Sequence, residues 1–143
     1  MSRKYHQEIR AYPKCAILDL CKMFWESGCL EEPFVACDWS FNLRDQFQTP
    51  DLHIFESWIS NYVTNWASCD TLCNHTVGAY LEKYPGAVTS LHEWATSPNR
   101  WARRAAAVSL IIPARKGLLQ QEVLTIADRL LIDDDDLVQK GYR

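Results

Sequence analysis

Two short stretches hold residue types that could do chemistry together. Residues 65–70 read Asn-Trp-Ala-Ser-Cys-Asp and put a tryptophan four residues ahead of a carboxylate. An indole face and a fixed negative charge sharing one space would suit a planar, cationic partner, since cation–π attraction and the carboxylate both favour positive charge. Residues 99–104 read Asn-Arg-Trp-Ala-Arg-Arg. Projected at ~100° per residue, Trp101, Ala105, Val108 and Ile112 form one stripe, with Arg104 about 60° from its centre and Arg103 pointing away. Arg104 therefore needs a partner, most simply a carboxylate, while Arg103 reads as a solvated side chain. Two plainer readings stand beside these. Asp70 is also a good N-cap for a helix that would begin there, with Trp66 in the turn before it, and Trp66 could simply fill core.

Other clusters offer less. Cys69, Cys73 and His75 lie close in sequence, but the chain has no C-x-x-C pair or distal mate, so buried thiols fit better than zinc. The run Asp133 to Asp136 stands just ahead of Leu137 and Val138, as expected of residues stabilising the start of a last helix. A divalent-metal site would need further oxygen ligands, and none is identifiable. Neither a metal nor a cofactor is expected. The six cysteines without a secretory leader imply a reduced, cytoplasmic setting. No apolar run approaches the ~20 residues of a membrane span. A formal net charge of −3 argues against a generic nucleic-acid coat protein but leaves room for a local basic strip.

Helical spacing dominates the 143 residues, so an all-α chain is expected. Ile17, Leu20, Cys21, Phe24 and Trp25 follow Pro13 and stop at Gly28. A second helix from Glu31 towards Arg44 should bury Phe34, Cys37 and Phe41. Thr49-Pro50-Asp51 signals a third start with Thr49 as N-cap, continuing through Leu52, Phe55, Ile59 and Tyr62. The helix after the 65–70 corner should end near Tyr84-Pro85-Gly86. A short one follows from Val88 to about Thr96. The next should run from Ser97-Pro98 to Pro113, and the last long one from Leu118 to Leu131.

Asn65-Trp66 recurs as Asn99-Arg100-Trp101, and Asp136 leads a further helix a similar distance on. A period of ~35 residues is that of HEAT-like helix pairs. The expected architecture is a short curved solenoid of antiparallel helix pairs, one helical-repeat domain over residues 1–143, with a concave binding face.

These two stretches, with Val138-Gln139-Lys140-Gly141-Tyr142, resemble the AlkD-like DNA alkylation repair family of HEAT-like-repeat DNA glycosylases, from about Leu20 to the last residue. The resemblance implies Asp70 as the catalytic carboxylate, Trp66 as an aromatic wall and Arg104 as a contact to the DNA backbone. Trp101, Arg100 and Lys140 join the DNA-binding set. It also implies hydrolysis of the N-glycosidic bond of N3- or N7-alkylated purines in double-stranded DNA, by a monomer, with the damaged base left stacked. The family carries a further tryptophan one position past Arg143, and its early repeats are longer, so the chain is expected to be incomplete relative to the family at both ends. The alternative is a catalytically inactive HEAT-like repeat protein that binds DNA or a protein partner. Arg100, Arg104, Arg115 and Lys116 on the same face as Trp66 and Asp70 would favour nucleic acid.

Overall fold

Pro13 supplies an extended residue just ahead of α1 (Lys14–Glu26), and Gly28, at φ +79°, follows its end. The computed structural model describes residues 12–130 with Asp133, Asp135 and Val138. Every regular element among them is helical: α2 (Glu32–Asn42), α3 (Asp51–Asn61), α4 (Trp66–Thr71), α5 (Gly78–Lys83), α6 (Val88–Trp94), α7 (Arg100–Val108), α8 (Ile111–Arg115) and α9 (Gln120–Leu130), with short 3₁₀ turns at Arg44–Gln46 and Pro85–Ala87. The chain is thus all-α. Between α4 and α5 the backbone widens into a π-helical turn, Leu72–Val77, flanked by helical dihedrals on both sides, so one helical path runs from Trp66 to Lys83.

Helices α2, α4 and α7 lie in a row, each packed on the next, with the π-turn touching both α2 and α7. Around them α1 covers α2, α3 and α6 pack on α7, and α9 closes the far side of α7. Small residues set the close approaches. Cys21 donates its thiol to the carbonyl of Ala36 at 3.6 Å, and the buried Ser40 and Thr76 hydroxyls meet at 2.9 Å. An aromatic cluster of Phe47, Phe55, Trp58 and Tyr80 fills the space under α3 and α5.

Three local expectations change. On α2 the buried face is Pro33, Ala36, Cys37 and Ser40 together with Trp39, while Phe34 is 39% exposed and Phe41 only partly covered. The small residues let α1 and the π-turn come close, which two phenylalanines would prevent. At α3 Thr49 makes no side-chain cap. Asp51 instead accepts from the Gln48 backbone N–H and from Lys14 Nζ, both at 2.8 Å. Finally, α7 stops at Val108, and Pro113 lies inside α8. A helix unbroken to Pro113 would set its ring against the Ser109 carbonyl; restarting at Ile111 puts the proline in a first turn, where no N–H is required.

Gly78 is the tightest crossing. A Cβ there would meet the Cys73 carbonyl oxygen at 3.3 Å, the Ser109 carbonyl oxygen at 3.6 Å and the Pro113 ring at 3.9 Å. Gly78→Val should therefore lower unfolding stability by about 2 kcal/mol through overpacking, read as a lower urea midpoint; an unchanged midpoint would show that α8 can move aside.

Candidate active site

Asn65 is extended and its Oδ1 accepts from the Ser68 N–H at 2.9 Å, so α4 begins at Trp66. Asp70 is therefore not the N-cap. It sits one turn into the helix, four residues after Trp66 and on the same face. Asn99 repeats the device on α7, accepting from the Trp101 N–H at 2.8 Å. In both stretches an asparagine starts a helix that carries a tryptophan in its first turn and a charged group one turn on. This is the physical content of the repeated Asn-Trp pattern.

The charged groups meet. Arg104 donates from Nε to Asp70 Oδ1 and from Nη2 to Asp70 Oδ2, each at 2.7 Å, a two-pronged pair joining α7 to α4. Its two ends differ in access: the guanidinium side chain is 8% exposed and the carboxylate 24%. The negative end thus faces outward with the cation behind it. Hydrogen bonding to Asp70 raises the Arg104 pKa further above its ordinary value, against the opposing effect of burial. A second tie lies alongside, where Cys69 donates its thiol to the Trp101 carbonyl at 3.6 Å. Trp66, at 58% exposed, is the most open indole here, while Trp101 is partly buried.

The other two arginines of α7 are also engaged. Arg103 bonds through Nε to Asp133 Oδ2 at 2.8 Å and through Nη1 to the carbonyls of Ser97 and Pro98. It is mostly buried, contrary to the solvated side chain expected from its position opposite the stripe. Helical projection sees only the helix's own core side, and the covering carboxylate comes from thirty residues on. Arg100 pairs through Nε with Asp135 Oδ2 at 2.7 Å, and its side chain stays 51% exposed, 6.0 Å from the centre of the Trp101 ring. Asp133 and Asp135, assigned from sequence to a helix start, hold arginines. Asp133 Oδ1 accepts from the Asp135 N–H at 2.9 Å, fixing the two carboxylates relative to each other.

Lys116 pairs with Glu82 at 2.8 Å. Glu82 stands twelve residues beyond Asp70, roughly 18 Å along the helical path, so Lys116 does not join the Asp70 group. Arg115, exposed at the end of α8, is its sequence neighbour. Lys140 lies outside the described residues. Two of the four cations of interest, Arg100 and Arg104, thus share the helix facing Asp70.

Cys69 and Cys73 are buried, and their mutual hydrogen bond, followed by burial, raises the Cys69 pKa. His75 packs edge-on against Phe41 at 5.6 Å, away from the thiols' interior. Among the described residues no group of His, Cys, Asp and Glu could hold a metal ion, and no described helix is long and apolar enough to cross a membrane.

Residues 1–142 match the family model described as DNA alkylation repair enzyme, extending the likeness ahead of Leu20. Neither the curated proteins nor the solved structures give a match to the chain.

Two measurements test this geometry. Arg104→Ala should cost about 3 kcal/mol of unfolding stability, because it leaves a largely buried carboxylate without its counter-charge; a loss under ~0.5 kcal/mol would mean that solvent replaces the guanidinium. In native protein at pH 8 a thiol reagent should modify Cys15 and Cys29 quickly, with Cys21, Cys37, Cys69 and Cys73 reacting only after denaturation. Burial pushes the Cys21 thiol up to about 12. It therefore stays protonated in the fold while an unfolded thiol ionises, so its contribution to stability falls as pH rises from about 9 towards 12.

Proposed function

Taking as premise that the chain belongs to the DNA alkylation repair enzyme family, we propose that it is a DNA glycosylase acting on N3- or N7-alkylated purines in duplex DNA, with Asp70 as the catalytic carboxylate. The observation that carries this reading is the orientation of the Asp70–Arg104 pair: its negative end is the accessible one, one helical turn from an exposed indole.

The chemistry asks little of the protein beyond charge placement. An N3- or N7-alkylated purine is cationic, so the C1′–N bond breaks with its electron pair passing to the base and neutralising it. No general acid is needed. The sugar left behind has oxocarbenium character, which a carboxylate within a few ångströms stabilises. Water then adds at C1′ and its proton passes to the carboxylate or to solvent. Two bonds from Arg104 stop Asp70 from rotating, so its oxygens are in place before the bond breaks. Trp66 offers a π-face to the same cationic nucleotide. In this reading Arg104 acts through Asp70, since its buried guanidinium stands behind the acid, and backbone contacts fall to more exposed cations. A concave surface built from HEAT-like pairs, a single domain, a monomer and a cytoplasmic setting complete the proposal.

A second reading, a silent helical-repeat binder, draws support from the ion pairs that occupy Arg100 and Lys116. Activity separates the two. The wild-type protein should release 7-methylguanine or 3-methyladenine from alkylated duplex DNA, and Asp70→Asn, of similar shape, should be slower by about 100-fold or more. Trp66→Ala should be slower by a smaller factor. Full rate in the Asp70→Asn protein rejects Asp70; no release by the wild type favours the silent binder.

A further inference from the structure

The three arginines of α7 are held with different strength, and the difference points to a site. Arg103 is fixed by a carboxylate and two backbone carbonyls. Arg104 is spent on both oxygens of Asp70. Arg100 makes one ion pair, through Nε to Asp135, and half of its side chain faces solvent. Arg100 and Arg104 are four residues apart, so this half-open guanidinium lies about one turn from the pair that faces Trp66. Asp135 is not a loose partner: its N–H is bonded to Asp133, whose other oxygen is held by Arg103.

We infer that Arg100 is a seat for a phosphodiester oxygen, and that the Asp135 carboxylate is its internal occupant in the free protein. The inference rests on the proposed action on DNA. A phosphodiester and a carboxylate present similar anionic oxygens to a guanidinium, and arginine binds either in its planar fork. The Arg100 side chain is 51% exposed and that of Asp135 14%, and Asp135 Oδ2 also stands 4.0 Å from Arg103 Nη2, so the carboxylate keeps a counter-charge when Arg100 turns to another anion and the pair can be exchanged. Nucleic acid approaching the Trp66–Asp70 space displaces Asp135 from Arg100, while Asp133 stays on Arg103. The seat positions the backbone and reads no sequence. A chain of net charge −3 then keeps its local cation covered until a polyanion arrives.

The test is fluorescence-anisotropy titration of a short labelled duplex across a range of salt, using the full chain and the variants Asp135→Asn, Arg100→Gln and the double variant, with folding checked by thermal unfolding. Asp135→Asn should bind about threefold to fivefold tighter with an unchanged salt slope, as expected for removal of a weak internal competitor. Arg100→Gln should bind more weakly and flatten the slope of log affinity against log salt by about 0.9, one phosphate contact. The double variant should show no gain over Arg100→Gln. If Asp135→Asn fails to fold, the Arg100→Gln slope still decides. Wild-type binding with no slope change in Arg100→Gln overturns the seat, and an Asp135→Asn gain that survives without Arg100 overturns the competition. No binding by any variant overturns both this inference and the DNA-directed function beneath it.

Discussion

One interaction organises the centre of this protein: the two-pronged bond between Asp70 on α4 and Arg104 on α7. Removing both charges from most of their water is expensive, and the mutual attraction offsets that cost only when geometry is good and neighbouring groups cooperate. Such a pair is weak evidence for stability in itself, since apolar side chains could pack the same space. Its effect is registry. Two parallel N–H···O bonds fix the slide and rotation of α4 against α7, and the Cys69 thiol on the Trp101 carbonyl repeats the constraint one residue away. The exposed indole of Trp66 inherits its position from this register.

The rest of the fold supports that register from behind. Ala36, Cys37 and Ser40 on α2 bring the π-turn close, and Gly78 lets the following turn pass the Ser109 carbonyl. The π-turn begins two residues after Asp70 and leaves Asn74 Oδ1 buried without a hydrogen-bond partner among the described residues, a local cost one turn from the charged pair. Wide helical turns recur at functional positions because they re-aim side chains without breaking the helix. A carboxylate carried on a packed helix is held more rigidly than one on a loop, as the proposed reaction would require of a group opposing a charge that exists only briefly.

Periodicity made the elements legible, and their partners much less so. The start at Pro13, the stop at Gly28 and the end near Tyr84 all follow from turn chemistry written locally. Arg104's need for a carboxylate was also visible, because its angle to the apolar stripe put it on the shoulder of the packed face. Asp70 misled because aspartate caps helices well; Asn65 does so too, and the earlier residue took the role. The α2 face was misread for a related reason. Phenylalanine outranks alanine and serine in any hydrophobic pattern, yet close helix crossings select small residues. Arg103 was the plainest failure, since it looked solvated on its own helix and instead buries its charge against Asp133.

The arginines of α7 show how one short helix can separate roles that sequence alone presents as a basic cluster. Position 103 faces a loop rich in carbonyl oxygens and becomes part of the scaffold. Position 104 faces α4 and holds a carboxylate there by two bonds. Position 100, at the open end, keeps half its surface in water and pairs with a single carboxylate. The number of bonds to each guanidinium, more than its bare charge, sets what remains for a ligand. In the proposed reading this is how a net-acidic chain would approach a polyanion: long-range repulsion is screened beyond about 10 Å at moderate salt, and binding inside that distance would turn on a cation whose internal partner can be exchanged.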